Sequence, residues 1–260
     1  MNRIYYHFFE IAERYKNIRT TDIEPVLFVQ KQLKNFEKIV AAEIGCGVGR
    51  YGLQLVNLFQ KKLTLYFVDF SPQMLKELIR NIPVHSLSKV HVLRASAEHL
   101  PFHSKMLTAL FAFNAVHHFH LSDFVREAER TVQENGFIFI YTRLRSQNRR
   151  NIWGEFFPEF YERETRLYEL DDFIREFKTH HLLNLAAIKY FKYDRTASIN
   201  WLVNRAVNHH YSTFSLYEPD EFEEALRKFK KNLLRHFDNP NKISWVDENV
   251  LFVLKKIVYN

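Results

Sequence analysis

The chain has 260 residues, with 37 lysines and arginines against 30 aspartates and glutamates, for a formal net charge of +7. That length buries a full core and suits one large domain, or a domain with a substantial addition, rather than a string of small independent ones. A single cysteine, Cys46, excludes an internal disulfide and any multi-cysteine metal site, while the basic balance favours anionic partners and says nothing about fold.

The first residues, MNRIYYHFFEIAERYKN, scatter charges among apolar positions and match neither a secretory leader nor a membrane span. No later apolar run reaches spanning length, so a cytoplasmic protein with no membrane partner is expected. Ile4, Phe8, Ile11, Ala12 and Tyr15 recur at helical spacing, and a second helical pattern runs from Pro25 to Phe36. KIVAAEIG (38–45) is a short apolar run ended by glycine and predicts a buried strand. YGLQLVNLF (51–59) predicts a helix, LTLYFVDF (63–70) a second strand, and PQMLKELIRNI (72–82) a helix capped by Ser71 with Pro72 at its first position. KVHVLRAS (89–96) and LTALFAFNA (107–115) are further strands. Leu121, Phe124, Val125, Ala128 and Val132 mark a helix, and FIFIYTR (137–143), after Asn135 and Gly136, is a fifth strand.

Strands alternating with helices at this spacing predict an α/β fold, a doubly wound, mostly parallel sheet whose ligands bind beyond the carboxyl ends of the strands. The second half has a different grain. Residues 144–168 form an aromatic and basic connection too long for an ordinary turn, 170–180 predict a helix, 182–193 a sixth strand, and 250–257 a last strand. The stretch 196–237 is mostly helical in pattern, with Phe222, Leu226, Phe229, Leu233 and Phe237 on one stripe. The expected organisation is an N-terminal helical lid over 1–37, a core over 38–195 and 243–260, and a helical insertion over 196–242 that caps the site.

The sharpest local signal is AAEIGCGVGR (41–50), which holds three of the chain's six glycines. A strand, a glycine-rich turn and a helix make a nucleotide-binding unit, because glycine permits the tight turn and lets a ligand approach the main chain. A phosphate-binding loop would need Gly-Lys-Ser/Thr at the helix start, which is missing. A dinucleotide site wants its third glycine three positions after Gly47, where Arg50 stands; the nearest glycine is Gly49. Asp69, twenty residues after Gly49 at the end of the second strand, is placed to accept hydrogen bonds from a ribose.

AAEIGCGVGRYG, LYFVDFSPQML, LRASAEHLPF, ALFAFNAVHHF and REAERTVQENGFIFIY, in that order over residues 38–143, resemble the successive motifs of Rossmann-like (class I) S-adenosylmethionine-dependent methyltransferases, in the type 11 group with the ubiquinone and menaquinone biosynthetic enzymes. FFEIAERYKNIR resembles the helix that closes over the cofactor in that group. The resemblance implies a seven-stranded sheet with an antiparallel last strand, and S-adenosyl-L-methionine as cofactor. It places Gly45, Cys46 and Gly47 along the methionine part of the cofactor, Glu43 at its ammonium, and Asp69 at the ribose. Phe70 and Met74 would pack on the adenine, bordered by Ser96, Ala97 and Glu98. Tyr15 and Arg19 would close over the cofactor, and Asn114 would lie near the transferred methyl. No metal is implied. This sequence departs from the pattern in reading ENG where two glycines usually precede the fifth strand, a change expected to matter only to a turn.

The acceptor is narrowed by absences. NAVH stands where amino methyltransferases carry Asn/Asp-Pro-Pro-Tyr/Phe, and there is no Pro-Cys nucleophile for pyrimidine C5. A small-molecule acceptor is expected, with His117 or His118 as base if the acceptor holds a proton. HHYSTFSLY (209–217) is a candidate lining. The competing expectation is a tRNA-modifying enzyme that uses the basic run RLRSQNRR, with Arg143, Arg145, Arg149 and Arg150, on an RNA backbone. A third, a non-catalytic module on the same fold, would be expected to lose Gly45, Gly47 or Asp69.

Overall fold

A computed structural model describes residues 11–13 and 19–258. Seven strands form one sheet: β1 Ile39–Ile44, β2 Leu63–Asp69, β3 Val90–Arg94, β4 Leu107–Phe113, β5 Val132–Thr142, β6 Leu183–Ala197 and β7 Ile243–Lys256. Their order is β3-β2-β1-β4-β5-β7-β6. The first five pair in parallel, and β7 runs antiparallel to β5. The expected doubly wound sheet with its reversed last strand is present. β4 is buried at every position, which is why LTALFAF reads as a continuous apolar run rather than an alternating one.

The helices of the first half fall where periodicity put them: α1 Glu24–Gln32, α2 Gly52–Phe59, α3 Pro72–Asn81 and α4 Leu121–Thr131. At α3 the Ser71 hydroxyl accepts the Met74 amide at 3.4 Å, and Met74, Leu75 and Leu78 form the buried face. The 144–168 connection folds into three short helices, α5 Arg145–Arg149, α6 Ile152–Phe156 and α7 Phe160–Arg163; α8 Leu170–Lys178, α9 Ile199–Val207 and α10 Pro219–His236 follow. The segment 209–217 contains a 3-10 turn, Ser212–Leu216. The part of the first expected helix over residues 4–10 and 14–16 lies outside the described residues.

Two compact units emerge. One comprises Thr20–Thr142, Leu170–Lys189 and Val250–Asn260; the other Met1–Arg19, Arg143–Glu169 and Tyr190–Asn249. The first is cored by the strands, with Phe111 stacked on Phe139 at 5.5 Å. The second has an aromatic core of its own, in which Trp153 stacks on Phe229 at 5.1 Å and Phe157 meets Phe214 at 5.1 Å. The chain's abundance of phenylalanine is largely explained by these two cores.

The ENG departure is more than a turn. β5 begins at Val132, paired with Leu107, and the register then jumps so that Ala109 pairs with Phe137, leaving 133–136 as a bulge inside the ladder. Asn135 takes the left-handed conformation, φ 61°. At Gly136 an added Cβ would stand 2.6 Å from Val132 Cγ1 and 2.7 Å from the Thr108 carbonyl oxygen. Close approach of backbone, not chain reversal, is what selects glycine there. Gly136→Ala should therefore destabilise the protein by about 1–3 kcal/mol, read as a lower urea midpoint at unchanged slope.

Candidate active site

The sheet order turns about β1, which has β2 on one side and β4 on the other, so the carboxyl ends of these three strands border the crevice where ligands bind in such sheets. The turn after β1 is stitched to β2: the amides of Gly45 and Cys46 both donate to the Val68 carbonyl, at 2.8 and 3.1 Å. Gly45, Gly47 and Gly49 have φ values of 67°, 54° and 80°, a left-handed region costly for other residues. The reasons for glycine differ along the turn. A Cβ on Gly45 would meet Ala115 Cβ at 2.6 Å and Phe119 Cζ at 2.8 Å, whereas among the described residues nothing lies within 4 Å of one on Gly47. Gly45 is packed and Gly47 faces open space, where a ligand can approach bare main chain.

Glu43, on β1, is buried, and the Gly52 amide at the start of α2 donates to its carboxylate. An added Cβ at Gly52 would collide with Glu43 Oε2 and Phe67, so this glycine makes room for the acid. Oε2 makes no hydrogen bond among the described residues. Burial pushes the Glu43 carboxyl up to about 8, against the pull of the Gly52 amide and Arg50, and the nearby Asp69 adds to the rise. A buried acid with one unsatisfied oxygen, held beside the turn, is suited to receive a cationic donor.

Asp69 closes the turn from the β2 side. Its Oδ2 accepts the Gly47 amide at 2.7 Å and its Oδ1 the Ser71 amide at 2.8 Å. Burial raises its pKa while these amides, with that of Phe70, oppose the rise. Cys46 is buried, and burial pushes its thiol well up, with Asp69 and Glu43 adding to the effect. Its thiol is therefore kept protonated, as befits a small packed side chain.

Phe70 stands 56 % exposed just after β2, with the Arg94 guanidinium 5.4 Å from its ring centre, while Met74 is buried in α3. Ala97 is buried in the turn that follows β3. Ser96 and Glu98 are joined to each other, the Ser96 hydroxyl donating to Glu98 Oε2, and Glu98 Oε1 accepts the His120 amide at 3.0 Å. His120 is the cap position of α4 and brings no side-chain cap of its own. Glu98 instead holds the main chain of that cap residue from across the fold.

Asn114, one residue past β4, takes φ 53°. Its amide donates to the Tyr141 carbonyl at 2.7 Å and its Nδ2 to the Tyr51 hydroxyl at 3.3 Å. Tyr51 is buried, stacked on Phe113 at 4.6 Å. His117 and His118 follow on a 3-10 turn with ring centres 4.0 Å apart, His118 the more exposed. The structure thus brings Glu43, Gly45, Cys46, Gly47, Asp69, Phe70, Met74 and Asn114 to neighbouring strand ends. Sequence reasoning missed Tyr51, whose only signal is an aromatic directly after the glycine turn.

Tyr15 lies outside the described residues. Arg19 belongs to the helical unit, where its Nη1 donates to the His210 carbonyl at 3.0 Å and its guanidinium lies 4.4 Å over Tyr211. In the basic run, Arg143 pairs with Asp247 at 3.0 Å and Arg150 with Glu248 at 2.6 Å, while Arg145 and Arg149 lie over the Tyr161 ring. Among the described residues no group of acids, histidines or cysteine is arranged to hold a metal, and no helix is long and apolar enough to cross a membrane.

In comparison with known proteins, residues 42–140 match the family model described as a methyltransferase domain. No curated protein matches the chain. Among solved structures, a candidate methyltransferase of an antibiotic biosynthesis pathway from Anabaena variabilis superposes with a TM-score of 0.68 at 21 % identity, over 90 % of this chain and 98 % of that one. The YcgJ protein of Bacillus subtilis gives 0.62 at 15 % identity, over 92 % and 100 %. A phosphoethanolamine N-methyltransferase of Haemonchus contortus, in complex with phosphomonomethylethanolamine and S-adenosylhomocysteine, gives 0.56 at 14 % identity, over 90 % and 52 %. At these identities the likeness is one of fold.

The Glu43 carboxyl carries a pH signature. Its folded pKa of about 8 exceeds the ordinary 4.5, so between those values the folded protein holds a proton that the unfolded chain has released. The stability associated with this group is complete below the unfolded value and is lost as pH rises through the folded one. At about 1.4 kcal/mol for each tenfold change in proton affinity, the loss amounts to a few kcal/mol. Glu43→Gln should melt above the parent protein at pH 8 in thermal denaturation, with the gap closing as the pH is lowered toward 5.

Proposed function

We propose that this chain is an S-adenosylmethionine-dependent methyltransferase that methylates a small-molecule acceptor, with the strand ends of β1, β2 and β4 holding the cofactor, a reading supported by the match of residues 42–140 to the methyltransferase-domain family. The observation that carries this assignment is the unsatisfied Oε2 of buried Glu43 beside a glycine turn whose Gly47 main chain opens onto free space. Those features fit a ligand that brings an ammonium and a flexible chain, and they do not need a pyrophosphate. Glu43 would receive the ammonium, the Gly45–Gly47 main chain would lie along the amino-acid portion, and Asp69 would use its remaining lone pairs on the ribose hydroxyls. Phe70 and Met74 would flank the adenine, with Ser96, Ala97 and Glu98 along its edge.

When bound, S-adenosylmethionine supplies a methyl that is already electrophilic. The chain's part is to hold the acceptor in line, exclude water and, where the acceptor carries a proton, remove it. Asn114 and Tyr51 are joined through the Asn114 Nδ2 donor, and this fixes the polar edge next to the reacting centre. His117 or His118 would take the proton, the closely packed ring pair giving two candidate acceptors on one turn. The Cys46 thiol takes no part, since burial keeps it protonated.

The basic connection does not favour RNA. Arg143 and Arg150 already hold carboxylates, and Arg145 and Arg149 are spread on an aromatic ring. A surface built to grip a phosphate backbone would leave such groups without carboxylate or ring partners, and its retention of tRNA would fall steeply with salt.

Calorimetry with S-adenosylhomocysteine tests the assignment. Asp69→Ala should weaken binding by roughly tenfold to a hundredfold, because a carboxylate-based hydrogen bond is lost together with the brace on the turn. His118→Ala should leave the affinity within about twofold, since a base for the acceptor does not hold the cofactor. The reverse order would place the site elsewhere, and no binding by a folded parent protein would end the proposal.

A further inference from the structure

We infer that cofactor binding is coupled to a proton: Glu43 holds a hydrogen in the free protein at neutral pH and gives it to solvent when the ligand's ammonium arrives, so that affinity for the cofactor rises with pH. This rests on the function proposed above and adds to it the protonation state of that site.

The surroundings of Glu43 suit a neutral acid better than a carboxylate. The residue is 2 % exposed on β1, the Gly52 amide donates to its carboxyl, and Oε2 makes no hydrogen bond among the described residues. The wall beside that oxygen is apolar. A Cβ at Gly52 would stand 2.2 Å from Oε2 and 2.3 Å from Phe67 Cε1, so the oxygen and the ring share one small volume. Asp69, by contrast, spreads its charge over the Gly47 and Ser71 amides, one to each oxygen.

The charged and titratable groups that face Glu43 are Arg50 at the end of the turn, Cys46 within it and Asp69 at the end of β2. Arg50 attracts the carboxylate through space, while its Nη1 donates to the Thr20 carbonyl and the Thr21 hydroxyl. Asp69 repels it, and Cys46 is a neutral thiol. Burial outweighs the pull of the Gly52 amide and of Arg50, and the pKa rises to about 8.

An ammonium reverses this balance, because a positive charge close by lowers a carboxyl pKa by roughly 1–3. The O–H bond of Glu43 breaks, its electron pair stays on the carboxylate and the proton passes to buffer. The ammonium keeps its hydrogens and nothing is oxidised or reduced. At pH 7 the exchange releases roughly 0.4–0.9 proton for each ligand bound.

The test is calorimetry on the whole protein with S-adenosylhomocysteine at pH 7, repeated in buffers of different ionisation enthalpy, since the change of observed heat with buffer counts the protons released. The expected count is roughly 0.4–0.9, with affinity rising about fivefold to fiftyfold between pH 6 and pH 8. 5′-Methylthioadenosine is the second probe. It keeps the nucleoside and the sulfur but carries no ammonium, and should release no more than about 0.1 proton. Glu43→Gln should bring the count for S-adenosylhomocysteine below about 0.1 and flatten the pH dependence. An equal count with both probes would assign the proton to a group near the ribose and overturn the coupling, as would an undiminished count in Glu43→Gln. If that variant does not fold, the comparison of the two probes on the parent protein decides. Binding of S-adenosylhomocysteine with no proton released leaves the proposed function standing and removes the coupling, whereas no binding by a folded parent protein removes both.

Discussion

The bond from the Gly47 amide to Asp69 Oδ2 is the constraint on which the site's geometry rests. It ties the turn that leaves β1 to the end of β2, alongside the two amides that converge on Val68. A hydrogen bond to a charged group contributes about 1.5–3 kcal/mol, enough to hold a left-handed turn that would otherwise be strained for most sequences. With the turn held, Glu43 stays beneath it and Gly47 stays open above. Asp69 therefore braces two segments at once, the turn through Oδ2 and the approach to α3 through Oδ1.

Charge is divided between the two units in a way that net charge conceals. The strand ends bring together two acids, Glu43 and Asp69, whose burial makes ionisation costly. The helical unit is rich in arginine, yet much of that charge is answered internally: Arg163 by Glu159 and Glu221, Arg166 by Glu164, Arg150 by Glu248. Glu164 is itself buried and also accepts the Thr213 hydroxyl, so this network is part of the unit's interior rather than a display of charge. A formal +7 is thus a poor guide to which surface meets an anion.

How much was legible in the sequence follows from the range of each signal. Strands buried on both faces produce continuous apolar runs, so KIVAAEI and LTALFAF were visible as strands without any knowledge of partners. Glycine spacing around 45–49 exposed the turn because positive φ restricts residue type locally. Glu98 was harder, since its oxygens go to Ser96 and to the main chain of His120, and nothing near it in the chain announces a helix start that lacks its own cap. The arginines of the 143–150 run looked available for RNA because their acids sit about a hundred residues away on β7, beyond the reach of any periodicity. ENG failed for a different reason: a glycine demanded by the close approach of its own strand leaves the same trace as one demanded by a turn.

Asn114 has a bearing on how this fold tolerates change at the end of β4. With φ at 53°, its position tolerates few side chains other than asparagine, aspartate and glycine before the main chain itself objects. Any change there is filtered first by conformation and only then by chemistry. Diversification, by natural drift or by directed libraries, has little room at this strand end. It is channelled instead into neighbours under no such conformational restriction, His118 among them.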